Sequence, residues 1–313
     1  MRGAALVMVL VACGGSSAPS GSAGARVGPA LAAAIEAAAQ AQAPWRCAAA
    51  DGPEAKAETL QVGNRAWTIG AHAMALDGSG DIAIGVIADA GGNASALRKL
   101  RDGIGAVDLV IALGGMGATQ AEVEATLAAL APEKAAVLAV PGDLEPAPAH
   151  GAAVAALRAK KLPVVDARLV HRVTVPGADV AVLPGAGAEL RLAAGADGCG
   201  YREHDVAAAF ADLAKKPGLR ILASAEAPRA TDGDPSGELA LVPPEDTVDV
   251  VLHGPADAAV SAARTGTRDG AATRLTPGTS DAGPRLPSRR PPTAGVLAIT
   301  ARGWSWRSVG DAP

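Results

Sequence analysis

Aromatic side chains are scarce in this 313-residue chain, which has four tryptophans, one tyrosine and one phenylalanine. Surfaces that stack nucleic-acid bases need several interleaved aromatic side chains. An excess of basic residues is also missing, because 28 Lys and Arg face 32 Asp and Glu, for a net charge of -4. Nucleic-acid binding depends on a concentrated positive surface. These two shortages argue against nucleic acid as a partner.

Long apolar runs are missing too. The run Ala4–Ala12 has nine residues, whereas a transmembrane helix needs about 20. It follows Arg2 and is followed by small residues, which is typical of a secretory signal peptide. Leu10-Val11-Ala12-Cys13 resembles the bacterial lipobox, whose cysteine is lipidated and becomes the mature N terminus. The alternative is an apolar terminus with an incidental cysteine.

We therefore predict a bacterial lipoprotein with a signal peptide at 1–12 and a lipid anchor on Cys13. Its expected location is the cell envelope, on the periplasmic or surface side, with the outer membrane favoured over the inner. Residues 13–57 are predicted to form a Ser-, Gly- and Ala-rich tether that contains an Ala-rich helix at 29–42. The remaining residues, 58–313, form the predicted folded domain.

Cysteine is also rare, with three residues in the chain. Lipidation of Cys13 would leave Cys47 and Cys199, and two such cysteines outside the cytoplasm favour a disulfide. The alternatives are two buried thiols or a metal-binding pair. Zinc is disfavoured because neither cysteine has a histidine beside it at metal-ligand spacing.

Apolar strands alternate with short helical patterns in the first half of the predicted domain. Strands are predicted at 81–88, 107–113 and 136–140, with helices at 93–101, 119–130 and 151–160. This rhythm is typical of βαβ units around a parallel sheet. A hairpin is predicted at 169–183, and 271–275, 295–300 and 304–307 are predicted to close a second, mixed sheet. The expected fold class is an α/β sandwich of two sheets covered by helices.

Ligands of open α/β sheets bind beyond the carboxyl ends of strands. Here those ends carry Asp89–Asn93, Gly114–Gly117, Gly142–Glu145, Ser224–Pro228 and His253–Asp257. Their order resembles the calcineurin-like metallophosphoesterases, whose strand ends carry Asp-x-His-Gly-Asn, Gly-Asp, Gly-Asn-His, a lone His and Gly-His-x-His. The resemblance covers about residues 81–300. It implies an α/β/β/α sandwich and a two-metal phosphoesterase site.

Most metal ligands that the resemblance implies are replaced. Asp89 matches the first aspartate, and Asp143 stands where the family has its asparagine ligand. Glycine replaces the bridging aspartate at Gly115, and the other replacements are Gly91, Leu144, Ala225, Pro255 and Asp257. A two-metal site needs a shared carboxylate to screen two close cations. The resemblance therefore implies a degenerate member whose two-metal chemistry is lost.

Three readings of function follow. The leading one is a non-catalytic binding or structural module of the envelope, with an envelope protein or a small ligand as partner and no cofactor. The second is a metal-dependent phosphoric ester hydrolase with one Mg²⁺, Ca²⁺ or Mn²⁺ on Asp89, Asp143 and Asp257; these aspartates are otherwise ordinary turn and cap residues. The third is an anion or nucleotide binder that uses the backbone N–H groups of Gly114, Gly115 and Gly117.

Overall fold

The computed structural model describes residues 54–91, 94–131, 134–187, 197–228, 241–244, 246–254, 264–266, 272–277 and 293–310. The predicted signal peptide and the Ala-rich helix lie outside the described residues, as do Cys13, Cys47, Pro255 and Asp257. Of the predicted tether at 13–57, the structure therefore describes only residues 54–57.

The described chain begins with an antiparallel meander of three strands, β1 (Glu58–Val62), β2 (Arg65–Gly70) and β3 (Ala73–Leu76). We expected strands and helices to alternate from the start of the domain at residue 58. This prediction is wrong for the first three strands, which follow one another without a helix between them. In β2, Trp67 and Ile69 are buried while Ala66 and Thr68 are exposed. This period of two is typical of a strand with one buried face.

The predicted βαβ region is confirmed. Its strands are β4 (Ile82–Ala88), β5 (Leu109–Leu113), β6 (Ala136–Val140) and β7 (Val164–Asp166), and neighbours in this series pair in parallel. Its helices are α1 (Ala94–Ile104), α2 (Gln120–Leu130) and α3 (Ala147–Ala159). The predicted capping box starts α2, because Thr119 Oγ1 accepts from Glu122 N at 3.3 Å and Glu122 Oε2 accepts from Thr119 N at 3.0 Å.

The second half builds most of the other sheet. The predicted hairpin is confirmed as β8 (Arg172–Val175) and β9 (Ala178–Leu183). Helix α4 (Glu203–Leu213) precedes β10 (Leu219–Ser224) and β11 (Val250–His253). The later strands are β12 (Arg264–Gly266), β13 (Thr273–Leu275), β14 (Thr293–Thr300) and β15 (Gly303–Gly310).

The placement of the closing strands differs from the prediction. Strand β13 pairs with β11 in the eight-stranded sheet. Strand β14 instead pairs antiparallel with β4 in the seven-stranded sheet, and β15 pairs with β14. The strand orders are β1-β2-β3-β8-β9-β10-β11-β13 and β12-β15-β14-β4-β5-β6-β7. The apolar sequence of a strand predicts that the strand is buried. It does not predict the pairing partner, which depends on tertiary packing.

Three buried clusters define four layers. The largest contains apolar side chains from both sheets, including Trp67, Trp304 and Trp306, and so lies between them. A second joins α1, α2 and α3 to the outer face of β4–β7, and a third joins α4 to the outer face of β9–β11. The expected α/β/β/α sandwich is confirmed.

Candidate functional site

The carboxyl ends of strands from both sheets meet at one side of the sandwich. Gly114 N donates to Val140 O at 2.8 Å and links the ends of β5 and β6, while Gly254 N donates to Ser224 O at 3.1 Å and links β11 to β10. We call Asp89, Gly114–Gly117, Gly142–Glu145, Ser224–Glu226 and Gly254 the strand-end edge. The resemblance placed the metal ligands at this edge.

The two sheets touch at the strand-end edge through residues that have almost no side chain. A Cβ added to Gly114 would lie 3.0 Å from both Ala225 Cβ and Gly142 Cα. A Cβ added to Gly142 would lie 3.3 Å from Ala225 Cβ. Gly114 has a φ of 63°, which glycine adopts without steric cost. The ends of β5, β6 and β10 are therefore in close contact.

Gly115, which the resemblance aligned with a bridging aspartate, has no room for a side chain. A Cβ there would lie 2.5 Å from both Asp89 Cα and Asp89 Oδ1. The backbone of Gly115 has a φ of 67°, a left-handed conformation that aspartate adopts only at a cost. Asp89 is itself left-handed, with a φ of 50°. The carboxylate of Asp89 thus occupies the space beside the Cα atom of Gly115.

Glu145 holds two of the strand-end turns together. Its side chain is fully buried. Its carboxylate accepts from Gly142 N at 2.6 Å, from Gly117 N at 3.3 Å and from Met116 N. Burial raises the pKa of this carboxyl, and the three backbone hydrogen bonds and nearby His150 oppose that rise. The sequence assigned no role to Glu145.

This geometry bears directly on the predicted anion cradle. Among the N–H groups of the Gly114–Gly117 turn, those of Gly114, Met116 and Gly117 already donate within the protein. Two of these three donate to the carboxylate of Glu145. The anion that the turn holds is therefore a side chain of the same protein.

Three carboxylates lie near one another on this edge. Partial burial raises the pKa of Asp143, and the negative charges of Glu226 and Asp89 raise it further. Glu226 accepts from Gly187 N at 2.7 Å and from the hydroxyl of Tyr201. The sequence pointed to Asp89 and Asp143 but not to Glu226, which directly follows Ala225.

The residues present do not fit the two metal ions that the resemblance implies. In the described part of the chain, no group of three or more His, Cys, Asp or Glu side chains is arranged to hold a metal ion. Gly115 offers no ligand atom, and Asp257 lies outside the described residues.

A buried polar cluster joins α3 to the end of β7 and the loop that follows it. The Nε2 atom of His150, which is fully buried, lies 3.5 Å from Asp166 Oδ1. Arg168 Nε lies 3.1 and 3.0 Å from the two oxygens of Asp166. Burial acts to raise the pKa of Asp166, but the interactions with His150 and Arg168 outweigh it and hold this pKa well below its usual value. This cluster fixes the loop after β7.

His253 ends β11 in a buried position opposite Ser224 of β10. Its Nδ1 lies 2.8 Å from the carbonyl oxygen of Gly254. Burial, with a smaller contribution from the charge of Arg274, lowers the pKa of His253 to about 4, and the Gly254 hydrogen bond only partly opposes the shift. The neutral imidazole is therefore part of the folded structure above that pH.

Cys199 is fully buried and disulfide-bonded. Its predicted partner, Cys47, lies outside the described residues, so the pairing of these two cysteines stays a prediction. Cys199 O accepts from Ala186 N at 3.2 Å, which ties this cysteine to the loop after β9. In the described ranges, none of the helices has the length and apolar character needed to cross a bilayer.

Comparison with known proteins shows similarity in fold. No family model matches the chain, and no curated protein matches it in sequence. TT1561 of Thermus thermophilus is 15% identical over 73% of this chain and 98% of its own, with a TM-score of 0.47. A second solved structure is 12% identical over 74% of this chain and all of its own, with a TM-score of 0.54. At this identity, the second match supports the α/β sandwich fold and nothing about activity.

Proposed function

We propose that this protein is a lipid-anchored module of the bacterial cell envelope that binds a partner on a phosphoesterase-like scaffold without two-metal chemistry. The observation that carries the proposal is Gly115. A Cβ at this position would lie 2.5 Å from Asp89 Oδ1, so the bridging carboxylate of a two-metal site has no space.

Other contacts at the strand-end edge support the same proposal. A Cβ at Gly254 would overlap the carbonyl oxygen of Ala225, and Ala225 itself stands where the family carries a metal-binding histidine. Ala225 fills space against Gly114 and Gly142. The replacements therefore form a packed contact between the two sheets.

The envelope location is supported by the sequence of the N terminus. A basic residue and then nine apolar residues, the last three of which are Leu10-Val11-Ala12 before Cys13, form the order expected of a lipoprotein signal. A single lipid chain gives only marginal membrane binding, so stable anchoring requires a second signal, such as another lipid chain. The partner in this proposal is an envelope protein or a small ligand.

A phosphodiester hydrolysis assay tests the absence of two-metal chemistry. The purified protein is expected to show no hydrolysis above the buffer rate with Mg²⁺, Ca²⁺ or Mn²⁺ present. Metal-dependent turnover that disappears in Asp89→Ala and Asp143→Ala, with the folding of both variants unchanged, would instead establish the single-ion hydrolase. Asp102→Ala, on the exposed surface of α1, is the matched control.

Labelling with a radioactive or alkyne fatty acid in a bacterial host tests the anchor. The full-length chain is expected to incorporate label and to fractionate with membranes. Cys13→Ser is expected to lose the label, while Cys199→Ser is expected to retain it. Label that persists in Cys13→Ser would contradict the lipid anchor without affecting the proposal about the strand-end edge.

A further inference from the structure

The outer side of α1 carries basic side chains. The helix buries Leu97, Leu100 and Ile104 in the cluster that covers the outer face of the seven-stranded sheet. Arg98 and Lys99 lie on the other side of the helix, and both are exposed. This helix therefore has one apolar side in the core and one basic side in contact with solvent.

Two further arginines extend this basic side. Arg101, in the last turn of α1, donates from Nη1 to Ala129 O at 3.3 Å. Arg307 of β15 is exposed, and its Nη2 donates to Ile104 O at 2.6 Å, at the C-terminal end of the helix. Cations are favoured at this end because of the helix dipole. We call the following four residues the basic face: Arg98, Lys99, Arg101 and Arg307.

Acidic side chains beside the basic face already have cationic partners. Asp102, the single acidic residue of α1, accepts from Arg101 Nη2 at 2.9 Å. Asp108, just before β5, accepts from Arg65 Nε at 2.9 Å. In the described part of the chain, Arg98 and Lys99 make no ion pair. With three basic residues and one acidic residue, α1 has a net charge of +2, although the whole chain carries -4.

We propose that the basic face docks on the anionic phospholipid surface of the membrane that carries the predicted anchor. The inference rests on the proposed envelope location. Lys and Arg residues near a bilayer are attracted to anionic lipids, and clusters of about four to eight of them on an amphipathic helix are typical of lipid-binding surfaces. A basic patch is also one of the signals that make a lipid anchor stable.

The tether favours a lipid surface over an acidic protein as the partner of the basic face. A flexible Ser- and Gly-rich tether of the predicted length spans about 40 Å on average. The anchor would keep every copy of the domain within this distance of the bilayer. A contact that is weak by itself is then formed often, because the local concentration of the surface is high.

Docking through α1 leaves the strand-end edge open to a partner. The basic face lies in the second half of α1 and at its C-terminal end. The carboxylates of Asp89, Asp143 and Glu226 lie instead at the strand-end edge, which the chain passes before this helix begins. Anionic lipids attract the basic face and repel these carboxylates. The domain therefore turns the basic face to the bilayer and the strand-end edge away from it.

Sedimentation with lipid vesicles tests the docking. The mature chain, residues 13–313 with Cys13→Ser, carries no lipid, so the assay measures binding by the protein alone. At low salt it is expected to sediment with vesicles that contain phosphatidylglycerol and not with vesicles of phosphatidylcholine. High salt is expected to release it, because salt screens the attraction. Sedimentation with both kinds of vesicle alike, or with neither, would overturn the proposal.

A pair of double variants separates the basic face from the net charge. Arg98→Glu with Lys99→Glu is expected to weaken binding to phosphatidylglycerol vesicles by about tenfold or more, because each cation near the surface contributes to binding. Lys161→Glu with Lys215→Glu is the matched control, since it changes the net charge equally at two exposed lysines outside α1. The control is expected to bind like the unchanged chain. Equal weakening in the two double variants would refute the basic face.

The vesicle assay and the fatty-acid labelling fail independently. Labelling of Cys13 without binding to phosphatidylglycerol vesicles would overturn the basic face and leave the anchor in place. Vesicle binding that depends on Arg98 and Lys99, without labelling of Cys13, would contradict the anchor and support the basic face as a membrane contact of the domain.

Discussion

The carboxylate of Glu145 accepts a hydrogen bond from the backbone N–H of Gly117, with 3.3 Å between Oε1 and N. Twenty-eight residues separate the two in sequence, so the contact joins the turn after β5 to the turn after β6. The Gly114–Gly117 turn has the features of an anion site, and the protein fills that site with its own side chain.

Replacing Glu145 with alanine is expected to lower the free energy of unfolding by about 3 kcal/mol, because buried N–H groups lose their acceptor. Formate, a carboxylate small enough to enter the vacated space, is expected to restore part of that loss. Thermal melts with increasing formate measure the rescue. Glu122→Ala is the control, since Glu122 caps α2 at the surface and formate should not rescue it. Equal rescue of both variants would contradict the buried cradle.

Gly115→Asp introduces the residue that the resemblance implies at this position, and it is expected to destabilise the protein by about 3 kcal/mol or more. Its Cβ would overlap Asp89, and its φ of 67° is unfavourable for aspartate. Gly105→Asp is the control, because Gly105 has a φ of 77° with nothing within 4 Å of an added Cβ. That control is expected to cost about 1 kcal/mol. Urea unfolding measures the free energy of unfolding of both variants. Equal losses of stability in the two would refute the steric explanation for Gly115.

His253 makes folding depend on pH. Its pKa is lowered from 6.5 to about 4 in the folded protein, so the unfolded chain binds a proton first as the pH falls. Stability is therefore lost between pH 6.5 and pH 4, by up to about 3 kcal/mol. Urea unfolding across this range should show a shallower dependence in His253→Gln than in the wild type. His204→Gln is the control, and a His253→Gln profile as steep as that of this control would contradict the assignment.

Reduction of the predicted Cys47–Cys199 disulfide is expected to lower the melting temperature. The closed loop would be long, so breaking the bond gives the unfolded chain more conformational entropy. In the chain-entropy model this lowers the free energy of unfolding by about 5 kcal/mol. Melts with and without reductant measure the effect. In Cys47→Ser the melting temperature should not respond to reductant, and a response that remained would show that Cys199 has another partner.

The sequence predicted much of the fold because its signals were local. Continuous apolar runs predicted β5 and β6, and Thr119 with Glu122 predicted the start of α2. The placement of β14 beside β4 was missed because it depends on distant contacts. One of these is the antiparallel pairing of Leu297 in β14 with Ile84 in β4.

The site was less predictable than the fold. Asp89 and Asp143 could be proposed from the sequence because they follow apolar strands and match the pattern on which the family resemblance rests. Glu145 was missed because two of its three partners, Met116 and Gly117, lie 29 and 28 residues away. Glu226 was missed because Tyr201 and Gly187 lie 25 and 39 residues away from it. The contact of Gly114 with Ala225 could not be predicted from the sequence either, because it joins strands of two different sheets.

Metal content tests the central claim most directly. The purified protein would be dialysed against Mg²⁺, Ca²⁺ or Mn²⁺, analysed for bound metal and then melted with each ion. We expect less than one tenth of an ion per chain and no rise in melting temperature, because Gly115 supplies no ligand and the Glu145 carboxylate is held by backbone N–H groups. One or two ions per chain, lost in Asp89→Ala and accompanied by a higher melting temperature, would contradict the account.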